Sequence, residues 1–401
     1  MDTIGIDALA LAVPAGYLEL ADLAEARGVP PGKFIDGLGV RRMAIAAAHE
    51  DPVALAANAA RRLFERSGRL PSEIGLCVVG TETAVDHSKP IAAYLHGLLA
   101  LPSRCRIYEA KHACFGGTAG LLTALDWIVA GRAMKGGRPR VALVVCTDVA
   151  RYGLHTPGEP TQGAGAVAMI VSERPRLLEI DVGVSGSFSR DVNDFWRPLD
   201  RKEAVVDGHH SVGCYLDALG GAFEAWRALD ETREPIVRTC YHVPYGKMAR
   251  KAHRYRLGLD GIDEAAADAS FEREVAPSLA LPSLVGNVYT GSLYLALASL
   301  LHLEAGQLEG QRIGLFSYGS GCTAEFFSGR VAAGAAQLVH ALDLAGPLAG
   351  RRRLTVAEYE RIREADSGVD RAPVGTLEGP GPTLGSIAFL GVDSERRVYS
   401  N

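Results

Sequence analysis

Short, almost uninterrupted apolar runs alternate with longer amphipathic ones along this chain. IGLCVVG (74–80) and RVALVVCTDV (140–149) are rich in β-branched residues, and they predict strands covered on both faces. DPVALAANAARRLFERSG (51–68) repeats its apolar residues at helical spacing and stops at glycine. GGTAGLLTALDWIVAG (116–131) predicts a helix with little polar surface. The β–α alternation predicts an α/β fold.

The second half repeats this order. PIVRTCYHVPYG (235–246) predicts a strand running into a loop, VGNVYTGSLYLALASLL (285–301) a helix with small residues at its start, and RIGLFSYGSGCTAEFFSG (312–329) a buried strand entering a glycine-rich turn. Glu82 follows the strand at 74–80 as His242 follows the strand near 240, and Cys114 opens CFGGTAGL as Asn287 opens NVYTGSLYL. The strand at 140–149 corresponds to 312–318. This parallel predicts an internal duplication with halves 1–173 and 174–401, and equivalent loop ends meeting around a pseudo-twofold axis. Glu82, Cys114, His242 and Asn287 are expected to converge there. Beyond 330, RRRLTVAEYERIREAD predicts a charged surface helix, APVGTLEGPGPTLGS a loop, and IAFLGV a closing strand.

Composition narrows the function. The 401 residues are 48% hydrophobic and 22% charged, enough for a large core and for two domains or one doubled fold. A formal net charge of −5 argues against a nucleic-acid partner. The start, MDTIGIDALALAVPAGY, lacks a basic leader pattern, and no membrane span is expected, since that needs roughly 18 apolar residues in a row. The seven cysteines have no CxxC spacing, so neither a disulfide framework nor a zinc cage is expected, and a reducing cytoplasm suits them.

Several positions carry candidate chemistry. Cys114 stands where a helix begins, and a helix N-terminus favours the nucleophilic thiolate; Gly116 and Gly117 leave room for a ligand and offer backbone N–H groups to an oxyanion. An inert buried cysteine is the bland alternative. Glu82 ends an apolar strand, where a half-buried carboxylate has a raised pKa and can move protons at carbon; a capping or solvated role, with Asp86 equally eligible, competes. His112 is a candidate base beside Cys114, but reads better as a packing or hydrogen-bonding residue. Lys247, Arg250, Lys251 and Arg254, just past His242, form a basic cluster suited to a phosphate-bearing ligand or to plain solvation. Asn287 and Ser320 are candidate donors to a carbonyl or oxyanion, or simple turn residues.

HACFGGTAGL, ARYGLHTPGEPTQGAGAVAM, DFWRP with VDGHHS, YHVPYGKMARKAH, GNVYTGSLYLALASLL and LFSYGSGCTAEFFSG occur in the order found in 3-hydroxy-3-methylglutaryl-CoA synthases. The chain resembles that family, bacterial type, from about residue 4 to about 330. The resemblance implies a thiolase-like fold, a duplicated αβαβα five-layered sandwich, usually a homodimer. It implies a catalytic set Glu82, Cys114 and His242, with Asp148, Tyr152, Gly153, Asp194, Ser211, Asn287 and Ser320 supporting or lining the site and Lys247 and Lys251 contacting CoA. The implied reaction condenses acetyl-CoA with acetoacetyl-CoA through acetyl-Cys114, without metal or other cofactor, in the mevalonate pathway. A second branch of the family acts on groups held by an acyl carrier protein and installs β-branches on polyketides. Lys247, Lys251 and the short ARYGLHTPGEPTQ segment lean toward free CoA. Ketoacyl-ACP synthase III enzymes share the fold but lack a glutamate matching Glu82, and a simple thioester hydrolase would not need one. Two departures from the family are His112 and a short interval between DFWRP and His242.

Overall fold

The structure, a computed structural model, describes residues 3–132, 140–377, 381, 383 and 385–400. Nine strands form its central sheet: β1 Ile4–Ala12, β2 Ile74–Gly80, β3 Arg106–Ala110, β4 Val141–Ala150, β5 Gly163–Glu173, β6 Leu178–Ser189, β7 Arg238–Tyr241, β8 Arg312–Gly319 and β9 Thr323–Val331. Their order is β7-β8-β9-β6-β1-β5-β4-β2-β3. Outward from the β1/β6 seam, both wings make two antiparallel steps and then a parallel one: β1-β5-β4-β2 on one side, β6-β9-β8-β7 on the other. The strand pairs matched in the sequence, 74–80 with the strand near 240 and 140–149 with 312–318, therefore hold equivalent places. β3 extends only the first wing.

The seam is thin, with Gly5 opposite Glu179 and Ile6 opposite Leu178. Helices provide the remaining adhesion. α1 (Pro52–Ser67) packs on β1, β4 and β5, and α3 (Gly208–Leu229) covers β6, β8 and β9. Between the wings lie α2 (Gly116–Arg132), against β2 and β4, and α5 (Ser292–Leu308), against β7 and β8. The layers run α–β–α–β–α, the thiolase-like architecture. α4 (Gly246–Leu259) packs beside α3.

Local chemistry explains the boundaries. Asp51 caps α1 by accepting from the Ala54 N–H at 2.8 Å, Pro52 opens it, and Gly68 ends it in the left-handed conformation at φ 74°. The stretch Ala113–Arg132 is as long and apolar as a membrane span, but 56% of it is packed inside the molecule, so the middle layer accounts for its composition. Thr118 on α2 joins that layer: its hydroxyl lies 2.8 Å from the Tyr294 hydroxyl on α5 and donates to Ser317 on β8 at 2.8 Å.

The C-terminal region differs from its sequence reading. The helix expected over 351–366 is α6, Val356–Val369, opened by a Thr355–Glu358 capping box. It is not only a charged surface helix, because Tyr359 is fully buried and its hydroxyl bonds to Glu159 and Gln162. The IAFLGV strand forms a separate hairpin, Phe389–Asp393 with Arg396–Tyr399. Within the predicted loop 372–386, residues 378–380, 382 and 384 lie outside the described residues.

Candidate active site

Cys114 occupies a tight turn before α2, held by a bond from the Phe115 N–H to the His112 carbonyl, with Ala113 at φ 39°. Its thiol donates to Glu82 Oε1 at 3.2 Å. Glu82 comes from the loop after β2, and only 6% of its side chain is exposed. The two residues, 32 positions apart, form the centre of the site.

Burial sets the protonation of this pair. It pushes the Glu82 carboxyl up to about 8, with the nearby Asp148 charge adding to the shift and Arg197 opposing it. Burial also pushes the Cys114 thiol well above its ordinary value, and the charge and hydrogen bond of Glu82 push it further. This corrects the expectation that the helix start would favour the thiolate. The free site holds a thiol, and its proton faces the carboxylate that can take it.

Asp148 holds the Glu82 loop to the second half. Fully buried at the end of β4, its Oδ1 accepts from the Thr81 hydroxyl, the Glu82 N–H and the Thr83 hydroxyl at 3.0, 2.9 and 2.8 Å. Its Oδ2 accepts from the Thr290 N–H and hydroxyl, just before α5. Asp194 does the same work on the other wing, accepting from Tyr318 at 2.7 Å, Ser211 at 3.2 Å and the Gly321 N–H at 3.0 Å. Ser211 thus supports Asp194.

The other candidates are held by their own neighbours, and among the described residues no hydrogen bond joins His242 or Asn287 to Cys114 or Glu82. His242 is buried after β7, with its N–H on the Phe316 carbonyl and its own carbonyl accepting from Tyr215. Burial drops its pKa to about 3, so the imidazole is neutral and can offer an N–H. Asn287 engages its Oδ1 with the Tyr289 N–H and the Ser292 hydroxyl, while none of the described residues accepts from its Nδ2. Ser320 sits in a turn pressed onto the Cys114 segment: a Cβ on Gly319 would meet the His112 carbonyl oxygen and Phe115 Cβ at 2.6 Å. Tyr152 lies in the field of Cys114 and Glu82, with its ring edge-on to Phe195. Gly153 follows in a turn whose carbonyl accepts from Thr156. His112 packs edge-on against Phe115, and its buried Nε2 has no hydrogen-bond partner among the described residues.

Two sequence expectations need correction. Gly116 and Gly117 do not leave room for a ligand, because protein atoms fill that space. A Cβ on Gly117 would meet Cys146 Sγ at 2.4 Å and the Thr290 carbonyl at 2.7 Å, so glycine lets α2 close onto β4 and the second half. The basic cluster on α4 is also not uniform. Arg250 and Arg254 are bound by Asp268, Glu272 and Glu264, whereas no described acid pairs with Lys247 or Lys251.

Arg197, inside the DFWRP motif, carried no role in the sequence reading. Its guanidinium donates to the Glu82 main-chain carbonyl and stands 3.6 Å from Glu82 Oε2. It also faces a cavity of about 460 Å³ lined by Glu82, Ala113, Arg151, Lys202 and Arg363. Tyr289 carried no role either; its hydroxyl is buried beside Tyr152, Glu82 and Cys114. The charged centre of DFWRP was the available signal for Arg197. Nothing in the sequence distinguishes Tyr289 from a core tyrosine.

The family models for the hydroxymethylglutaryl-coenzyme A synthase N terminal and C terminal regions match residues 1–175, and 178–265 with 254–367. A hydroxymethylglutaryl-CoA synthase from Enterococcus faecalis is 38% identical over 366 residues, 90% of this chain and 91% of its own length. A solved structure of MvaS in complex with 3-hydroxy-3-methylglutaryl coenzyme A is 50% identical, with a TM-score of 0.93 over 100% of this chain and 99% of that one. The HMG synthase of the curacin biosynthetic pathway, solved in complex with a holo donor-ACP, is 32% identical, with a TM-score of 0.91 over 99% of each chain.

Proposed function

This chain belongs to the hydroxymethylglutaryl-coenzyme A synthase family, and from that premise we propose that it condenses acetyl-CoA with acetoacetyl-CoA to 3-hydroxy-3-methylglutaryl-CoA. The observation that carries this reading is the buried Cys114 thiol bonded to a carboxyl with a raised pKa. Acyl transfer needs the nucleophile, and carbon deprotonation needs the base.

The Glu82–Cys114 contact supports the opening steps, and the residue chemistry supports the rest. The Cys114 sulfur attacks the acetyl carbonyl, and its proton leaves with the CoA thiol. Glu82, in its ionised form, takes a proton from the methyl group of acetyl-Cys114. Backbone N–H groups near Cys114 and at the Gly319–Gly321 turn stabilise the enolate. The enolate carbon attacks the 3-keto carbon of acetoacetyl-CoA, whose oxygen accepts a hydrogen bond from neutral His242 and from the Asn287 amide. Protonated Glu82 returns its proton to the new alkoxide, and water then hydrolyses the enzyme thioester. No step is a net oxidation or reduction, so the reading calls for no redox cofactor. Lys247 and Lys251, without acid partners among the described residues, take the CoA phosphates. The free thiol of Cys114 suits a reducing cytoplasm, and a homodimer is the expected assembly.

The likeness to the curacin enzyme favours one second reading, a carrier-protein-bound acceptor and polyketide β-branching. The test compares acetoacetyl-CoA with acetoacetyl-acyl carrier protein as acceptor, acetyl-CoA being the donor in both. Efficient condensation with the CoA acceptor is expected, and strong preference for the carrier-bound one would install the second reading. Acetyl-CoA turnover at the same rate without acceptor would make the protein a thioester hydrolase.

A further inference from the structure

Glu82 faces groups from five elements. Asp148 approaches from the end of β4, Tyr152 from the loop after β4, Cys114 from the turn before α2, Tyr289 from the turn before α5, and Arg197 from the hairpin Phe195–Trp196/Val205–Val206. Among the described residues Arg197 is the one cation paired with it. The contact has two points, the Glu82 main-chain carbonyl and its carboxylate, and the arginine side chain is itself only 18% exposed.

The root of this arm is fixed as well. Asp194, three residues before Arg197, is fully buried and bonded to Tyr318, Ser211 and the Gly321 N–H, all in the second half. Arg197 therefore reaches from an anchored hairpin of one half across to the carboxylate of the other. We propose that Arg197 is the positioning residue for Glu82: it orients the carboxylate and keeps it ionisable as the base for carbon deprotonation. This deepens the reading above and rests on it.

The Arg197–Glu82 pairing is electrostatic as well as geometric. Burial and Asp148 both disfavour a charged Glu82; Arg197, through its charge and its hydrogen bond, offsets them, helped by the Cys114 hydrogen bond. An opposite charge within about 4–6 Å moves a carboxyl by roughly one to three pH units. Without Arg197 the carboxyl, already mostly protonated at neutral pH, is ionised in a still smaller fraction of molecules, and deprotonation of the acetyl methyl group slows first.

The experiment uses Arg197→Gln and Arg197→Lys in the full chain. In Arg197→Gln, the ascending pH limb of condensation kcat should move up by about one unit or more, with condensation at pH 7 falling about tenfold or more. Acetyl-Cys114 should still form, and Arg197→Lys should move the limb back toward the parent position. An unshifted limb, a loss uniform across pH, or loss of acetylation together with condensation would overturn the proposal. Infrared titration of the Glu82 carboxyl in the resting protein, assigned by its disappearance in Glu82→Gln, gives a readout that needs no turnover. A parent protein that neither acetylates nor condenses would defeat the functional reading, while that titration would still decide whether Arg197 acts on Glu82. Identical carboxyl titration in the parent and Arg197→Gln would defeat the positioning role.

Discussion

Glu82 and Cys114 are one unit, because the carboxyl that the thiol bonds to is also what makes the thiolate hard to form. Two predictions belong at this scale. As a base, Glu82 must be ionised, and with its pKa raised to about 8 it is mostly protonated below that value. Condensation kcat/KM should therefore climb as pH rises through about 8, and a profile flat from pH 6 to 9 would remove Glu82 from the base role. Cys114→Ser should lose the acetyl adduct. Glu82→Ala removes the charge and hydrogen bond that push the thiol up, so it should still be acetylated but should lose condensation by about a hundredfold or more. Mass measurement of the acetylated protein beside product formation separates the two variants. The sequence marked Cys114, Glu82 and His242 as candidates because each follows or opens an apolar element. It could not give their protonation, which depends on burial and on neighbours such as Asp148, 66 positions from Glu82.

At the scale of elements, the site depends on how tightly α2 begins against its surroundings. Gly117→Ala places a methyl 2.4 Å from Cys146 Sγ and 2.7 Å from the Thr290 carbonyl. That overpacking should cost about 1–3 kcal/mol in denaturant unfolding and displace the Cys114 turn, lowering acetylation as well. A variant with parental stability and acetylation would show that the close approach is dispensable. The helix itself was legible from its small apolar residues. Its purpose there was not, because periodicity cannot tell space left for a ligand from space filled by another strand. Burial of Tyr359 was hidden for the same reason: a mostly charged helix gives little sign that one aromatic anchors it beside Glu159 and Gln162.

At the scale of the whole molecule, the doubled grammar of the sequence foretold the doubled sheet. The contacts that join the halves, from Asp148 to Thr290 and from Arg197 to Glu82, were beyond it because they pair residues far apart in the chain. The division of the α4 cations was also invisible, since the acids that bind Arg250 and Arg254 lie on a separate helix, Glu264–Glu274. Lys247→Ala combined with Lys251→Ala should raise KM for CoA thioesters several-fold while sparing carrier-bound acceptors. Equal effects on both would show that these lysines do not distinguish the carriers. The most direct test of the whole account is to trap the protein with acetyl-CoA, locate the acetyl group by peptide mass, and then add acetoacetyl-CoA. The account predicts acetyl on the peptide containing Cys114, discharged by the acceptor as 3-hydroxy-3-methylglutaryl-CoA appears. An adduct at another residue, or one that decays equally fast without the acceptor and yields no condensed product, would contradict it.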